Sequence, residues 1–217
     1  MSEIDIEQWQ KRWDARQIGF HEGKPNDLLV SHANTLAGCK RVLVPLAGKA
    51  KDLVFLASLG LEVVGVEAVE SACREFFDDN GIPLVIEQRD RFRAFCGGGV
   101  TLLCGDIFDA TPERLGSFDA LYDRAALVAL PPTTRARYLT TIAALLQPKA
   151  LLLLLVFHYD QTKLDGPPWS IDPALARTLY AGFTLEELVT REIARGAKFL
   201  EAGVDKVEES LLVMRAP

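Results

Sequence analysis

The chain has 217 residues, 49% of them apolar and 25% charged, a balance that excludes disordered, collagen-like and coiled-coil classes and fits one sizeable globular core. Its 24 Lys and Arg against 30 Asp and Glu give a formal net charge of −6 with no basic block, which argues against nucleic acid or an anionic membrane surface as a partner. The longest apolar run, Ala150 to Phe157, is eight residues, far short of the roughly 20 that a spanning helix needs.

Met1 to Asp14 is acidic and amphipathic and lacks the apolar stretch of a signal peptide. Cys39, Cys73, Cys96 and Cys104 are separated by 34, 23 and 8 residues, which is neither C-x-x-C nor zinc spacing. They read as reduced packing thiols of a cytoplasmic protein. His21, His32 and His158 are too scattered for a local metal pair, and no metal is expected.

Trp9 and Trp13, with Ile6, form a helical stripe that reads either as a staple on the core or as an aromatic lid over a ligand. Arg41 to Leu46 is a short apolar strand, and Ala50 to Leu59 a helix closed by Gly60. Glu62 to Glu67 is the next strand. A helix follows with Ser71 as its cap and Cys73, Phe76 and Phe77 inward, ending at Asn80-Gly81. Residues 82–99 read as an extended or hairpin excursion ending in three glycines. Strands are expected at Val100 to Cys104, Phe118 to Tyr122 and Leu151 to Phe157. Pro131-Pro132 and Thr133 open a helix through Leu146. A helix over 172–181 and strands near 183–193 and 207–214 complete the chain. Strands alternating with amphipathic helices predict an α/β, Rossmann-like sheet with helices on both faces. Ligands then gather at the carboxyl ends of its strands.

The residues just after those strands carry the chemistry. Leu46-Ala47-Gly48 lets backbone approach a ligand closely, although it fits neither G-x-G-x-x-G nor a P-loop; an ordinary strand-to-helix turn is the alternative. Glu67 lies nineteen residues after Gly48, the offset of an acidic residue that accepts ribose hydroxyls over a first βαβ unit. Asp106 could accept from an adenine amino group and Ile107 could flank its ring; as plain structure, Asp106 and Asp109 are turn and cap residues. Asp123-Arg124 reads as an ion pair in which Asp123 orients Arg124, or as a cleft-facing Arg124 for an anionic group. Gly166-Pro-Pro-Trp169 is a stiff loop or one wall of a pocket for a flat ring. No nucleophile elbow is present around Ser58.

These residues add up to a resemblance. The chain resembles class I S-adenosylmethionine-dependent methyltransferases and, more closely, bacterial thiopurine S-methyltransferases. The matching stretches are Trp9-x-x-x-Trp13, Ile18-Gly-Phe-His21, Arg41-Val-Leu-Val-Pro-Leu-Ala-Gly-Lys49, Val63-Val-Gly-Val-Glu67, Gly105-Asp-Ile-Phe108, Tyr122-Asp-Arg-Ala-Ala-Leu-Val-Ala-Leu-Pro131, Tyr159-Asp-Gln161 and Gly166-Pro-Pro168. They run in order from residue 9 to about 170, and 171–217 matches only loosely. One departure is Ala47, where the family usually has Cys.

The resemblance implies a seven-stranded, mostly parallel sheet with the last strand antiparallel, in one domain over 1–217 with 1–37 as a helical lid. It implies S-adenosylmethionine contacts at Trp13, Leu46, Gly48, Glu67 and Arg124, adenine-side contacts at Asp106 and Ile107, and a substrate contact at Phe20, with Trp169 as a second pocket wall. The expected partner is a small-molecule thiol, the expected state a monomer, and the expected catalytic group Arg124, favouring an anionic sulfur. Halides, small thiols and selenium or tellurium oxyanions are alternative acceptors. A nucleotide-binding oxidoreductase and a non-catalytic binding module are the more distant readings.

Overall fold

In the computed structural model, which describes residues 6–18, 21–124 and 126–217, nine strands form one sheet. They are β1 (Arg41–Pro45), β2 (Glu62–Glu67), β3 (Val85–Arg89), β4 (Phe92–Gly97), β5 (Val100–Cys104), β6 (Phe118–Arg124), β7 (Leu146–His158), β8 (Thr184–Glu192) and β9 (Glu208–Arg215). Their order is β3-β4-β5-β2-β1-β6-β7-β9-β8. The helices are α1 (Ile6–Asp14), α2 (Asp27–Ser31), α3 (Asp52–Ser58), α4 (Glu70–Asn80), α5 (Pro112–Leu115), α6 (Ala126–Ala129), α7 (Pro132–Leu145), α8 (Pro173–Leu179) and α9 (Ala197–Glu201). None of the described helices is long and apolar enough to cross a membrane.

Strands β5, β2, β1, β6 and β7 pair in parallel. Strand β9 inserts antiparallel between β7 and β8. The expectation of seven strands is corrected to nine by the 82–99 segment. It folds as the hairpin β3–β4, and β4 adds antiparallel to the edge of β5. Gly98 and Gly99, at φ of 57° and 79°, make the tight reversal that a side chain would strain. The start of α4 also differs from expectation: Val69 holds the cap position and Ser71 lies inside the helix.

Alternate residues of the central strands enter opposite layers, as the two-residue strand period requires. Leu43, Val64, Leu121, Leu152 and Leu154 pack into one layer with Tyr138 and Ile142 of α7. Val42, Val44, Val63, Tyr122, Leu151 and Leu153 pack into the other with Leu53, Leu56, Phe76 and Phe77 of α3 and α4. Residues 150–156 of β7 are buried throughout, which is why that strand reads as a continuous apolar run rather than an alternating one. The four cysteines are free thiols, and Cys73 is buried in the second layer.

Candidate active site

Three strand-end loops converge on Glu67. Its Oε2 accepts from the Gly48 backbone N–H at 2.7 Å and its Oε1 from that of Val69 at 2.8 Å. Its own carbonyl accepts from Gly105 at 2.9 Å. Burial pushes the carboxyl pKa up, and the backbone donors pull the other way. Each carboxylate oxygen keeps a second lone pair, so a vicinal diol can be bound without releasing the loop.

The loop after β1 is built under strain. Leu46 holds φ at 48° and Gly48 at 54°. A non-glycine residue in that region costs about 1–3 kcal/mol and marks a functional site more often than a structural one. The turn aims the Gly48 N–H at Glu67. A β-carbon on Gly48 would sit 3.5 Å from the Trp13 ring, so α1 lies directly over this loop.

That helix is fastened. Trp13 is 4% exposed and packs with Val69 and Ala72 at the start of α4. Arg16, just past α1, reaches both oxygens of Glu75 at 2.7 and 2.8 Å. Lys49 reaches Glu75 at 2.8 Å and Asp79 at 2.9 Å. Glu75 of α4 therefore ties the segment just past α1 and the loop to one helix. Lys49 is committed to that role, not to an anionic ligand.

Arg124 ends β6 at 9% exposure. Its Nη2 donates to Glu22 Oε1 at 2.7 Å, and its Nη1 lies 3.8 Å from Asp52 Oδ2. Asp52 is 2% exposed. Burial raises its pKa, while Arg124 and the Asn26 N–H oppose that rise. Arg124, Asp52, Tyr122, Leu46, Gly48 and His21 line one cleft of about 370 Å³, part of it open solvent. The buried Tyr122 hydroxyl lies beside Asp52 and also opposes the rise of its pKa. Burial and the nearby Lys49 and Arg124 charges lower the His21 pKa, so its imidazole stays neutral at neutral pH.

The predicted site residues divide by position. Leu46, Gly48 and Arg124 line this cleft; Glu67 adjoins it through its hydrogen bond from Gly48, and Trp13 packs over Gly48. Asp106 stands on the adjoining loop, half-buried, with Oδ1 accepting from the Phe108 N–H at 3.0 Å. The Ile107 side chain turns into the core, 2% exposed, so its backbone is what it presents to the loop surface. Phe92 of the added hairpin backs this loop: a β-carbon on Gly105 would meet its ring at 2.6 Å. Trp169 is half-buried and folds onto the backbone of Gly166, while its N–H donates to Val128 at 2.6 Å. It does not line the cleft around Arg124. Phe20 lies outside the described residues.

Asp123 does not orient Arg124. Neighbouring strand residues face opposite sides, and Asp123 enters the α7 layer, where it accepts from Tyr138 Oη at 2.7 Å and from the Leu127 N–H at 3.2 Å. Arg124 is held instead by Glu22 and Asp52, which sequence reasoning passed over. The acidic first turn of α3 was the one available signal for Asp52. Burial raises the Asp123 pKa from 3.8 to about 6. Its native state thus binds a proton more tightly than its unfolded state, and stability is lost as pH rises from about 4 through 6. Asp123→Asn should lack that loss, gaining up to about 3 kcal/mol over wild type above pH 7, with catalytic efficiency within about threefold because the residue faces away from the cleft. Urea unfolding from pH 4 to 8 reads the first expectation; a parallel slope for both proteins would refute it.

The profile of the thiopurine S-methyltransferase family matches residues 4–216. The thiopurine S-methyltransferase of Pseudomonas paraeruginosa is 42% identical over 212 residues, covering 95% of this chain and 97% of that protein. That of Pseudomonas fluorescens strain SBW25 is 42% identical over 213 residues, covering 95% and 98%. Among solved structures, the Burkholderia thailandensis 1,6-didemethyltoxoflavin-N1-methyltransferase, bound to its namesake and S-adenosylhomocysteine, superposes with a TM-score of 0.65. It is 20% identical over 97% of this chain and 86% of that one. An Anabaena variabilis S-adenosylmethionine-dependent methyltransferase gives a TM-score of 0.68 at 11% identity over 98% and 95%. These structural likenesses speak for the α/β methyltransferase fold.

Proposed function

Because this chain belongs to the thiopurine S-methyltransferase family, and is thereby an S-adenosylmethionine-dependent S-methyltransferase, we propose that its acceptor is the sulfur of a thiopurine or another aromatic or heterocyclic thiol, held as the thiolate by Arg124. The observation that carries this reading is a buried guanidinium at the floor of the cleft, between Asp52 and Glu22, on the next strand but one to Glu67.

The residues present fit the methyl donor. Glu67 offers two carboxylate lone pairs to ribose hydroxyls. Asp106, on the loop after β5, offers a carboxylate to the adenine side, and the Ile107 backbone adjoins it. Gly48 and Leu46 bring backbone close to the nucleoside. Trp13 shields the loop from water and presents an aromatic ring to a cation. S-adenosylmethionine supplies an activated methyl group on a sulfonium, so the protein need contribute alignment and charge stabilisation more than covalent help.

Arg124 does the principal work on the acceptor side. A guanidinium in a partly desolvated cleft favours the ionised thiol, the form that is nucleophilic. Asp52 and Glu22 keep that guanidinium in place. Phe20 and Trp169 belong to the substrate side of this reading, Phe20 as the residue preceding the cleft-lining His21 in sequence and Trp169 as a more distant wall. One catalytic domain over 1–217, with 1–37 as lid, is supported by the single continuous sheet and by the Arg16–Glu75 salt bridge that fastens the segment just past α1 to α4. A monomeric, cytoplasmic enzyme completes the proposal.

The test is an acceptor panel with S-adenosylmethionine: 6-mercaptopurine, substituted thiophenols, a small alkyl thiol, iodide and selenite. Aromatic and heterocyclic thiols are expected to lead by at least about tenfold in kcat/KM, the discrimination that one or two specific contacts provide. A faster reaction with iodide or selenite would replace the thiol reading with that of a halide or chalcogen-oxyanion methyltransferase.

A further inference from the structure

A chain of buried polar groups connects Arg124 to the C-terminal strands. Asp52 Oδ1 accepts from the Asn26 backbone N–H at 2.6 Å. Asn26, 1% exposed, uses its side-chain oxygen to cap α2 through the Leu28 N–H at 2.9 Å. Its Nδ2 donates to Glu209 Oε1 at 3.1 Å. Glu209 lies on β9, 2% exposed, and its Oε2 accepts from Arg191 Nε and Nη2 of β8 at 2.9 and 2.6 Å. Three buried polar residues from distant parts of the chain thus meet in one line. Burying such groups is costly, and apolar residues of similar volume serve stability as well or better.

We infer that Glu209, acting through Asn26 and Asp52, is a positioning residue for Arg124; this deepens the thiol reading above and rests on it. The spacing supplies the physics. At 3.8 Å, Asp52 Oδ2 and Arg124 Nη1 form an ion pair but not a hydrogen bond. A carboxylate free to move about 1 Å closer would take that hydrogen bond and draw the guanidinium down from the cleft. The Asn26 N–H holds Asp52 back, and Glu209 holds Asn26. Strand β9, the last in chain order, therefore sets how much of the Arg124 charge reaches the acceptor.

The experiment measures the Kd of 4-nitrothiophenolate for enzyme saturated with S-adenosylhomocysteine, by calorimetry, together with steady-state kinetics. Glu209→Gln keeps the shape but places an amide where Asn26 needs an acceptor or Arg191 needs a carboxylate. Asn26→Ser keeps the helix cap and the backbone N–H to Asp52 while cutting only the link to Glu209. Each variant should raise the thiolate Kd and KM about tenfold with kcat within about threefold. S-adenosylhomocysteine affinity should stay near wild type. In an Asp52→Asn background, either change should add nothing further, the non-additivity of residues acting through one path. Multiplying losses, or an unchanged thiolate Kd in both variants, would overturn the inference. If Glu209→Gln does not fold, Asn26→Ser carries the same comparison. A wild-type enzyme that binds S-adenosylhomocysteine but no thiolate would overturn the thiol reading instead, before any variant is made.

Discussion

Replacing Glu67 with alanine should weaken S-adenosylhomocysteine binding by at least about 100-fold, because one carboxylate does two jobs. Towards the protein it accepts the Gly48 and Val69 N–H groups. Towards the ligand, on the function proposed above, it offers its remaining lone pairs to the ribose. Hydrogen bonds to a charged group are worth about 1.5–3 kcal/mol each, so losing two costs about 3–6 kcal/mol, or more than two decades in Kd. The protein side suffers as well. Two buried N–H donors are left without an acceptor, and the turn that holds Leu46 at a positive φ loses its brace, so stability should fall by about 2 kcal/mol or more. Glu67→Gln separates the two roles poorly by design: its amide can accept from only one of the two N–H groups and meets the other donor to donor. Titration calorimetry reads the affinity and urea unfolding the stability. A Glu67→Ala protein that binds within tenfold of wild type would remove Glu67 from the ribose site.

The second large effect is expected at Arg124, and here stability and catalysis should come apart. Arg124→Ala leaves Asp52 buried without its cationic partner. Breaking a buried pair on one side typically costs about 3–5 kcal/mol. Asp52→Asn in the same protein removes the stranded charge and should restore most of that loss. It should not restore turnover. Removing a preorganised electrostatic group from an active site typically lowers kcat by about 100- to 1,000-fold, and neither alanine nor asparagine replaces the guanidinium. The catalytic loss should shrink for thiols acidic enough to be ionised without help. Arg124→Lys should recover the charge but not the two-pronged contact with Glu22 and Asp52. Thermal unfolding and kcat/KM across thiols of graded acidity test both halves. A double variant with wild-type kcat/KM would remove Arg124 from the acceptor side.

Much of this protein was determined by the sequence by itself. The alternation of strand and helix, the strands Glu62–Glu67 and Val100–Cys104 to the residue, the loop at Leu46–Gly48 and the nineteen-residue step to Glu67 are local or short-range features. Periodicity, glycine chemistry and a fixed βαβ offset encode them within windows of about 20 residues.

Tertiary structure alone decided the rest. Adjacent residues in a strand face opposite layers, but nothing in Tyr122-Asp123-Arg124 says which layer holds the cleft. Packing α7 on one side put Asp123 against Tyr138 and left Arg124 to Glu22, 102 residues away. The edge hairpin at 85–97 became part of the sheet only because β5 offered it an unpaired edge. The line from Asn26 to Glu209 spans 183 residues and joins a loop to β9, a strand antiparallel to both of its neighbours. Local propensity sums over neighbours in sequence, whereas a buried carboxylate and its partner are chosen by neighbours in space. For this protein, that choice set the orientation of its central arginine.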